Sequence, residues 1–346
     1  MFSADLRTVI IEHNADLKLY NTFGVSVRAR ALAGFTSESD LRGLLQHQEL
    51  AGMRRLILGG GSNLLFTRDW PGVVLRNDVP GIEVLHEDKE RITLRAGAGV
   101  VWHDLVMHTV AHGWGGIENM SLIPGRVGAG PMQNIGAYGA ELKDTFDHLE
   151  ALRISDGEMI RFSKADCNFG YRESFFKREG KDRFVIMNVA FTLNKNPKVN
   201  VGYGSIKSEL EKRGILSPTI HDVSASVIAI RSSKLPDPRV LGNAGSFFKN
   251  PTVPIRVADQ LKNILPDLVT FPSADNQVKL AAGQLIEKAG WKGFREGGYG
   301  IHKDQALVIV NHGGATGAQL YDLSTRVLES VKERFGVELE REVNII

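Results

Sequence analysis

A chain of 346 residues with 42% hydrophobic and 24% charged residues has the composition of a folded soluble protein, long enough for two or three hydrophobic cores. Its 42 basic and 40 acidic residues leave a net charge of +2, without the basic stripe expected of a nucleic-acid or membrane-surface protein, so small-molecule chemistry is favoured. The single cysteine, Cys167, excludes an intrachain disulfide framework and Cys-cluster metal sites and fits a reducing compartment.

Asp5, Arg7, Glu12 and His13 interrupt the apolar core that a signal peptide needs, and no run reaches transmembrane length, so the chain reads as cytoplasmic. Asn21-Thr22-Phe23-Gly24 followed by Val25, Val27 and Ala29 predicts a turn feeding a strand. Ser37 to Asp40 resembles a capping box, and Leu41, Leu44 and Leu45 give a helical apolar face that ends before Gly52. A strand at 55–58 then runs into Gly59-Gly60-Gly61-Ser62-Asn63-Leu64. Three adjacent glycines either cradle a phosphate with backbone N–H groups or form a flexible hairpin. The spacing fits neither a Rossmann fingerprint nor a P-loop.

Short strands follow at 72–75, 82–85 and 92–96, then a helix from Val100 to His112 closed by Gly113. His103, His108 and His112 have a helical spacing that could ligate a metal, but no acidic or cysteine partner completes the set, and no metal is expected. The stretch from Ser121 to Glu141 is long, rich in small residues and nearly uncharged. It suits either an ordered glycine-rich loop or the wall around a large flat ligand. A hairpin at 149–162 turns at Ser155-Asp156-Gly157, and Arg172 sits among aromatics, as an ion-pair partner of Glu173, a stack on Tyr171 or a fork for a carboxylate. A strand at 184–193 and a helix opened by Tyr203-Gly204-Ser205 precede a composition shift between about 195 and 222.

Beyond the shift, Val223, Val227, Ile228 and Ile230 predict a helix that the prolines after Lys234 end. Helices are expected at 254–264, 281–289 and 316–335, with strands at 306–310 and 337–346. Between them lies Leu241 to Pro251, where Ser246 stands among glycines, aromatics, Lys249 and Asn250. Its hydroxyl is a turn cap or a reacting group.

Seven motifs, in order and across nearly the whole chain, resemble the UDP-N-acetylenolpyruvoylglucosamine reductase family (MurB). They are 21–24, the 59–63 loop, 125–139, 170–174, 234–238, 242–251 and 340–343. The resemblance implies an α+β fold: a two-part FAD-binding region of the vanillyl-alcohol oxidase/PCMH type, residues 1–78 and 79–217, plus a C-terminal α+β substrate-binding domain, residues 218–346. It implies a monomer without nucleic-acid or membrane partners, and an enzyme of cell-wall biogenesis, cell shape and division. That enzyme binds FAD, takes electrons from NADPH and converts UDP-N-acetylglucosamine enolpyruvate to UDP-N-acetylmuramate for peptidoglycan.

By that resemblance Gly59, Gly60, Gly61, Ser62, Asn63 and Leu64 form the pyrophosphate loop, and Ser121, Gly125, Gly128, Gln133, Asn134, Gly136, Ala137 and Gly139 line the flavin. Ser246 gives a proton to C2 after hydride reaches C3, while Arg172 and Glu342 lie at the substrate carboxylate. Tyr203 matches the mobile tyrosine of one of the family's two types and, with Lys234 and Asn250, holds the diphosphate; Tyr138 orients the substrate. The chain departs from the common pattern at Arg126, at Gly130-Pro131-Met132 and at Arg341, which replaces a frequent proline. Competing readings are another FAD-dependent sugar or lactone oxidoreductase, a flavin-binding module without catalysis, and a Ser-x-x-Lys acyl-transfer hydrolase based on Ser246 and Lys249.

Overall fold

The computed structural model describes residues 10–273 and 276–346, so Asp5 and Arg7 lie outside the described residues. The fold is α+β and divides into two compact units. One comprises the chain up to Ala15, Ala29–Gly60 and Pro71–Ser233; the other comprises Asp16–Arg28, Gly61–Trp70 and Lys234–Ile346.

The first unit is built on two sheets. Strands β1 (Ile11–Asp16), β2 (Arg28–Phe35), β3 (Arg55–Leu58) and β4 (Trp70–Asn77) form a sheet of order β1-β2-β4-β3, in which β3 runs parallel to β4. The strand expected after Asn21 starts only at Arg28, because Asn21 uses its side chain to close a loop: Nδ2 donates to Leu17 O and Val25 O, and Oδ1 accepts the Val25 N–H. Helix α1 (Glu38–Gln46) begins where Ser37 accepts the Asp40 N–H, and Leu41 and Leu44 are its buried face, as the spacing predicts.

The second sheet is antiparallel, of order β8-β7-β9-β6-β5, from β5 (Ile82–Glu87), β6 (Arg91–Gly97), β7 (Phe146–Arg153), β8 (Met159–Ser163) and β9 (Phe184–Asn194). Its central strand β9 is buried on both faces. Ile186, Val189 and Phe191 pack with Trp102 and Leu105 of α2 (Trp102–Ala111), while Val185 and Met187 pack with Phe35 and Leu41. One strand therefore serves two cores, which explains its near-continuous apolar run. Helices α3 (Gly204–Lys212) and α4 (Ile220–Lys234) pack together through Ile206, Leu210, Val223, Val227 and Ile230.

The second unit contains α5 (Ile255–Lys262), α6 (Ala282–Lys288) and α7 (Gly317–Phe335) with two three-stranded sheets. Helix α7 starts with a capping box between Thr316 and Gln319 and ends at Gly336, whose φ of +66° only glycine adopts readily. Two sequence expectations shift here. The strand expected at 306–310 is Ile309–Asn311. The ten-residue terminal strand does not form as one element, because the segment changes partner midway. Arg341 bridges antiparallel to Phe248, and Asn344–Ile345 then pairs parallel with Leu64–Leu65. Among the described residues no helix is long and apolar enough to cross a membrane.

Candidate active site

In the first unit the two glycine-rich segments meet. An added Cβ at Gly60 would lie 3.1 Å from Gly125 Cα, and one at Gly59 would lie 3.7 Å from Arg126 Cβ. Gly128 lies against β6: its N–H donates to Ala98 O at 2.9 Å, and a Cβ there would come within 2.5 Å of Ala98 Cβ. Backbone thus replaces side chains along both segments, a cradle that fits a flat dinucleotide such as FAD. Arg126 fastens this loop by donating to Asn77 O and to the Asp78 carboxylate, which Arg76 also binds. Ser121 is fully buried, its hydroxyl donating to Glu118 O at 2.7 Å and meeting Ser224 Oγ at 2.8 Å.

Further along, Gly136–Ala137 pairs with Ala140–Glu141 around a two-residue turn at Tyr138 (φ +50°) and Gly139 (φ +80°). Positive φ at both positions belongs to tight hairpins, but tyrosine is an unusual occupant. Asn119, itself buried, supports it by donating to Tyr138 O at 3.0 Å. Asn134, also at positive φ, spends its side chain on the Glu141 carboxylate, Gly170 O and the Lys143 N–H, so it shapes the loop. Gln133 is half-buried beside it.

Arg172 has φ +55°, packs over the Tyr171 ring at 5.6 Å and donates to Gly136 O at 3.0 Å. It approaches the same hairpin as Arg231 of α4, whose guanidinium lies beside the Tyr138 phenol. Burial pushes the Arg231 pKa down, Tyr138 opposes that and Arg172 adds to it by like-charge repulsion. Burial likewise raises the Tyr138 phenol, against the pull of Arg231. The Tyr203 ring meets Tyr138 edge-on at 5.3 Å and is 44% exposed. Two arginines and two phenols in one place suit an anion that presents oxygens.

Arg231 is absent from the site set read from the sequence, although a signal existed. It follows Val223 and Val227 at successive four-residue steps, on the face that packs inward, where an arginine calls for a reason. The metal reading of the histidines gains no support. His112 stacks on Trp114 at 4.5 Å and contacts His108 O through Nδ1, and among the described residues no His, Cys, Asp or Glu group could hold an ion. Cys167 is buried and its thiol is pushed up to about 12, which leaves it inert. The open depressions on the five-stranded sheet, near Glu83, Arg95, Asp147 and Glu150, include none of the expected residues.

The second unit holds the other expected residues. Gly61 has φ +62°, and a Cβ there would fall 2.0 Å from Tyr20 O. Its carbonyl accepts the Thr22 N–H at 3.1 Å, and Thr22 O in turn accepts the Asn243 N–H at 3.0 Å. Asn243 is buried. It donates to Pro236 O and Leu241 O and accepts the Gly245 N–H at 2.9 Å, a turn that delivers half-buried Ser246. The next residues pair with the end of the chain: Glu342 N–H donates to Phe247 O at 2.8 Å, and Lys249 N–H donates to Glu340 O at 2.9 Å. Asn63 closes the set by donating to Glu342 O at 3.3 Å, next to the Leu64–Asn344 pairing. Ser62 precedes it, half-buried.

Lys249 is bound to the Glu340 carboxylate at 2.8 Å, with Glu340 75% exposed. Arg341 turns to α7, where it donates to Ser324 and Thr325 and lies 4.4 Å from the Tyr321 ring centroid. Asn250 Oδ1 accepts the Ala282 N–H at the start of α6, and Lys234 is exposed.

Residues 237–346 match the family model described as UDP-N-acetylenolpyruvoylglucosamine reductase, C-terminal domain, and residues 29–163 match an FAD binding domain. UDP-N-acetylenolpyruvoylglucosamine reductases of Pseudomonas aeruginosa and Chromobacterium violaceum are 51% and 49% identical to this chain. They cover 97% and 98% of it, and 98% and 100% of their own lengths. The crystal structure of UDP-N-acetylenolpyruvylglucosamine reductase from Thermus caldophilus has a TM-score of 0.66 at 24% identity, over 97% of this chain and 98% of its own, a likeness of fold.

Proposed function

The chain belongs to the UDP-N-acetylenolpyruvoylglucosamine reductase family and is an FAD-dependent oxidoreductase, and from that premise we propose that it reduces UDP-N-acetylglucosamine enolpyruvate to UDP-N-acetylmuramate at the expense of NADPH. In this reading residues 1–78 and 79–217 are the two FAD-binding subdomains and 218–346 the substrate-binding part. The product serves peptidoglycan synthesis in the cytoplasm, and the enzyme acts as a monomer.

Residues Gly59 to Leu64 hold the pyrophosphate of FAD, and the loop from Ser121 to Gly139 lines its ring. FAD, when bound, would supply the redox chemistry that carries two electrons from NADPH to the enolpyruvyl group. The protein manages the charge and the proton. Hydride arrival at C3 leaves a carbanion at C2 that delocalises into the substrate carboxylate, and Arg172 and Glu342 hold that carboxylate. Ser246 Oγ–H gives its proton to C2, completing addition of one hydride and one proton across the double bond. Tyr203, Lys234 and Asn250 bind the diphosphate, and Tyr138 orients the sugar side, with Arg231 steadying its phenol.

The observation that carries this reading is the pairing of the Ser246 segment with the segment holding Glu342, through the Phe247 O contact. Lys249 engages the exposed Glu340 carboxylate. Anaerobic mixing of holoenzyme, NADPH and the enolpyruvate tests the proposal. In Ser246→Ala, NADPH should bleach the flavin band normally, while its return on adding the enolpyruvate should slow by about 10²–10⁴-fold. Equal rates of return in the two proteins would remove Ser246 as the proton donor.

A further inference from the structure

Two consecutive residues at the start of α2 grip the first turn of the Ser121–Gly139 loop. Trp102 donates from its backbone N–H to Gly125 O at 3.0 Å and from its indole to Met120 O at 3.0 Å. His103 Nδ1 accepts the Leu122 N–H at 3.0 Å. Helix α4 holds the same turn from its own side, with Arg231 Nε donating to Leu122 O at 3.2 Å and Ser224 meeting Ser121. Such bracing has a purpose: Leu122 (φ +58°) and Gly125 (φ +113°) both occupy left-handed backbone, and for leucine that conformation persists only where neighbours impose it.

An imidazole nitrogen that accepts a hydrogen bond carries no proton, so His103 is neutral with its hydrogen on Nε2. Protonation would set an Nδ1–H against the Leu122 N–H, replacing an attraction with two opposed donors. We infer that His103 is a positioning residue for the flavin: its neutral ring fixes the entrance of the flavin loop, and protonation releases it. This rests on the reading that the loop lines the flavin. The charged groups facing His103 are Asp104 on its own helix and Arg231 from α4, and the α2 N-terminus also opposes a cation. Burial lowers the His103 pKa most, Asp104 acts against it and Arg231 acts with it. A folded-state pKa below the usual value of about 6.5 means that the brace is complete above that pH and is lost as pH falls through the lower folded value.

The experiment uses holoenzyme between about pH 7.5 and 5, with wild type, His103→Gln and His103→Ala, and two readouts. Hydrogen exchange of a peptide spanning Leu122, corrected for the intrinsic pH effect, reports the brace; fluorescence of released flavin reports FAD affinity. Wild type should show rising exchange and falling affinity as pH drops. His103→Gln, whose amide oxygen accepts from Leu122 without titrating, should hold both nearly constant. His103→Ala should weaken FAD binding by about fivefold to tenfold at pH 7.5. Exchange that ignores pH in wild type, or follows it equally in His103→Gln, overturns the inference and leaves flavin binding by the loop standing. Exchange that responds while affinity does not overturns both the coupling and the assignment of this loop to the flavin.

Discussion

Gly61 and Tyr138 are two residues in left-handed backbone that differ in what they permit. At Gly61 the conformation and the space both demand glycine, since a Cβ would overlap Tyr20 O. Gly61→Ala should therefore destabilise the protein by about 1–3 kcal/mol, read as a lower midpoint in thermal or urea unfolding. An unchanged midpoint would mean that the Tyr20 turn moves freely. Tyr138 keeps its side chain because the phenol has Arg231 as a partner and the ring has Tyr203. Glycines of the first kind are legible in sequence as tight loops. The reason for tyrosine in a turn position is not, because its partners come from α4 and from the residue preceding α3.

Among the elements, the terminal segment shows most clearly how pairing overrides pattern. Val337 to Ile346 alternates well enough to predict one strand, yet it is divided between Phe248 and Leu64–Leu65. The hydrogen bonds flanking the Phe248–Arg341 bridge use the N–H groups of Lys249 and Glu342. The Arg341 N–H takes no part in that pairing, so a proline at this position would cost no ladder hydrogen bond. Arg341→Pro should therefore preserve turnover within about threefold, even though loss of the Ser324 and Thr325 contacts lowers stability by about 1–2 kcal/mol. A large fall in kcat with bound flavin intact would show that the arginine side chain itself positions Glu342. Helix α7, by contrast, was readable to its ends, since Thr316, Gln319 and Gly336 are local signals that need no distant partner.

For the whole molecule, each unit carries its own share of the expected residues: Gly59, Gly60, the Ser121–Gly139 loop, Arg172 and Tyr203 in one, Gly61 to Leu64, Lys234, Ser246, Asn250 and Glu342 in the other. A ligand that binds only the folded protein stabilises it in proportion to the logarithm of its excess over Kd. FAD at one hundred times its Kd should add about 2.7 kcal/mol and raise the melting temperature of apoprotein by about 5–10 °C. No shift in melting, with no flavin absorbance retained on purification, would contradict the flavin-binding assignment.

The sequence by itself determined the local and additive features: the helices and their caps, most strands, the two glycine segments, the α+β class and the family, each encoded in spacing or in an ordered set of short motifs. Only the tertiary structure decided which side chains serve the loops. Arg231 beneath Tyr138, His103 on Leu122, Arg126 on Asp78 and the chain Gly61–Thr22–Asn243 join residues far apart in sequence. The physical reason is that a hydrogen bond to a strained turn depends on where a third segment passes, and that path is fixed by burial of apolar faces such as β9 and α4 rather than by the turn's own residues.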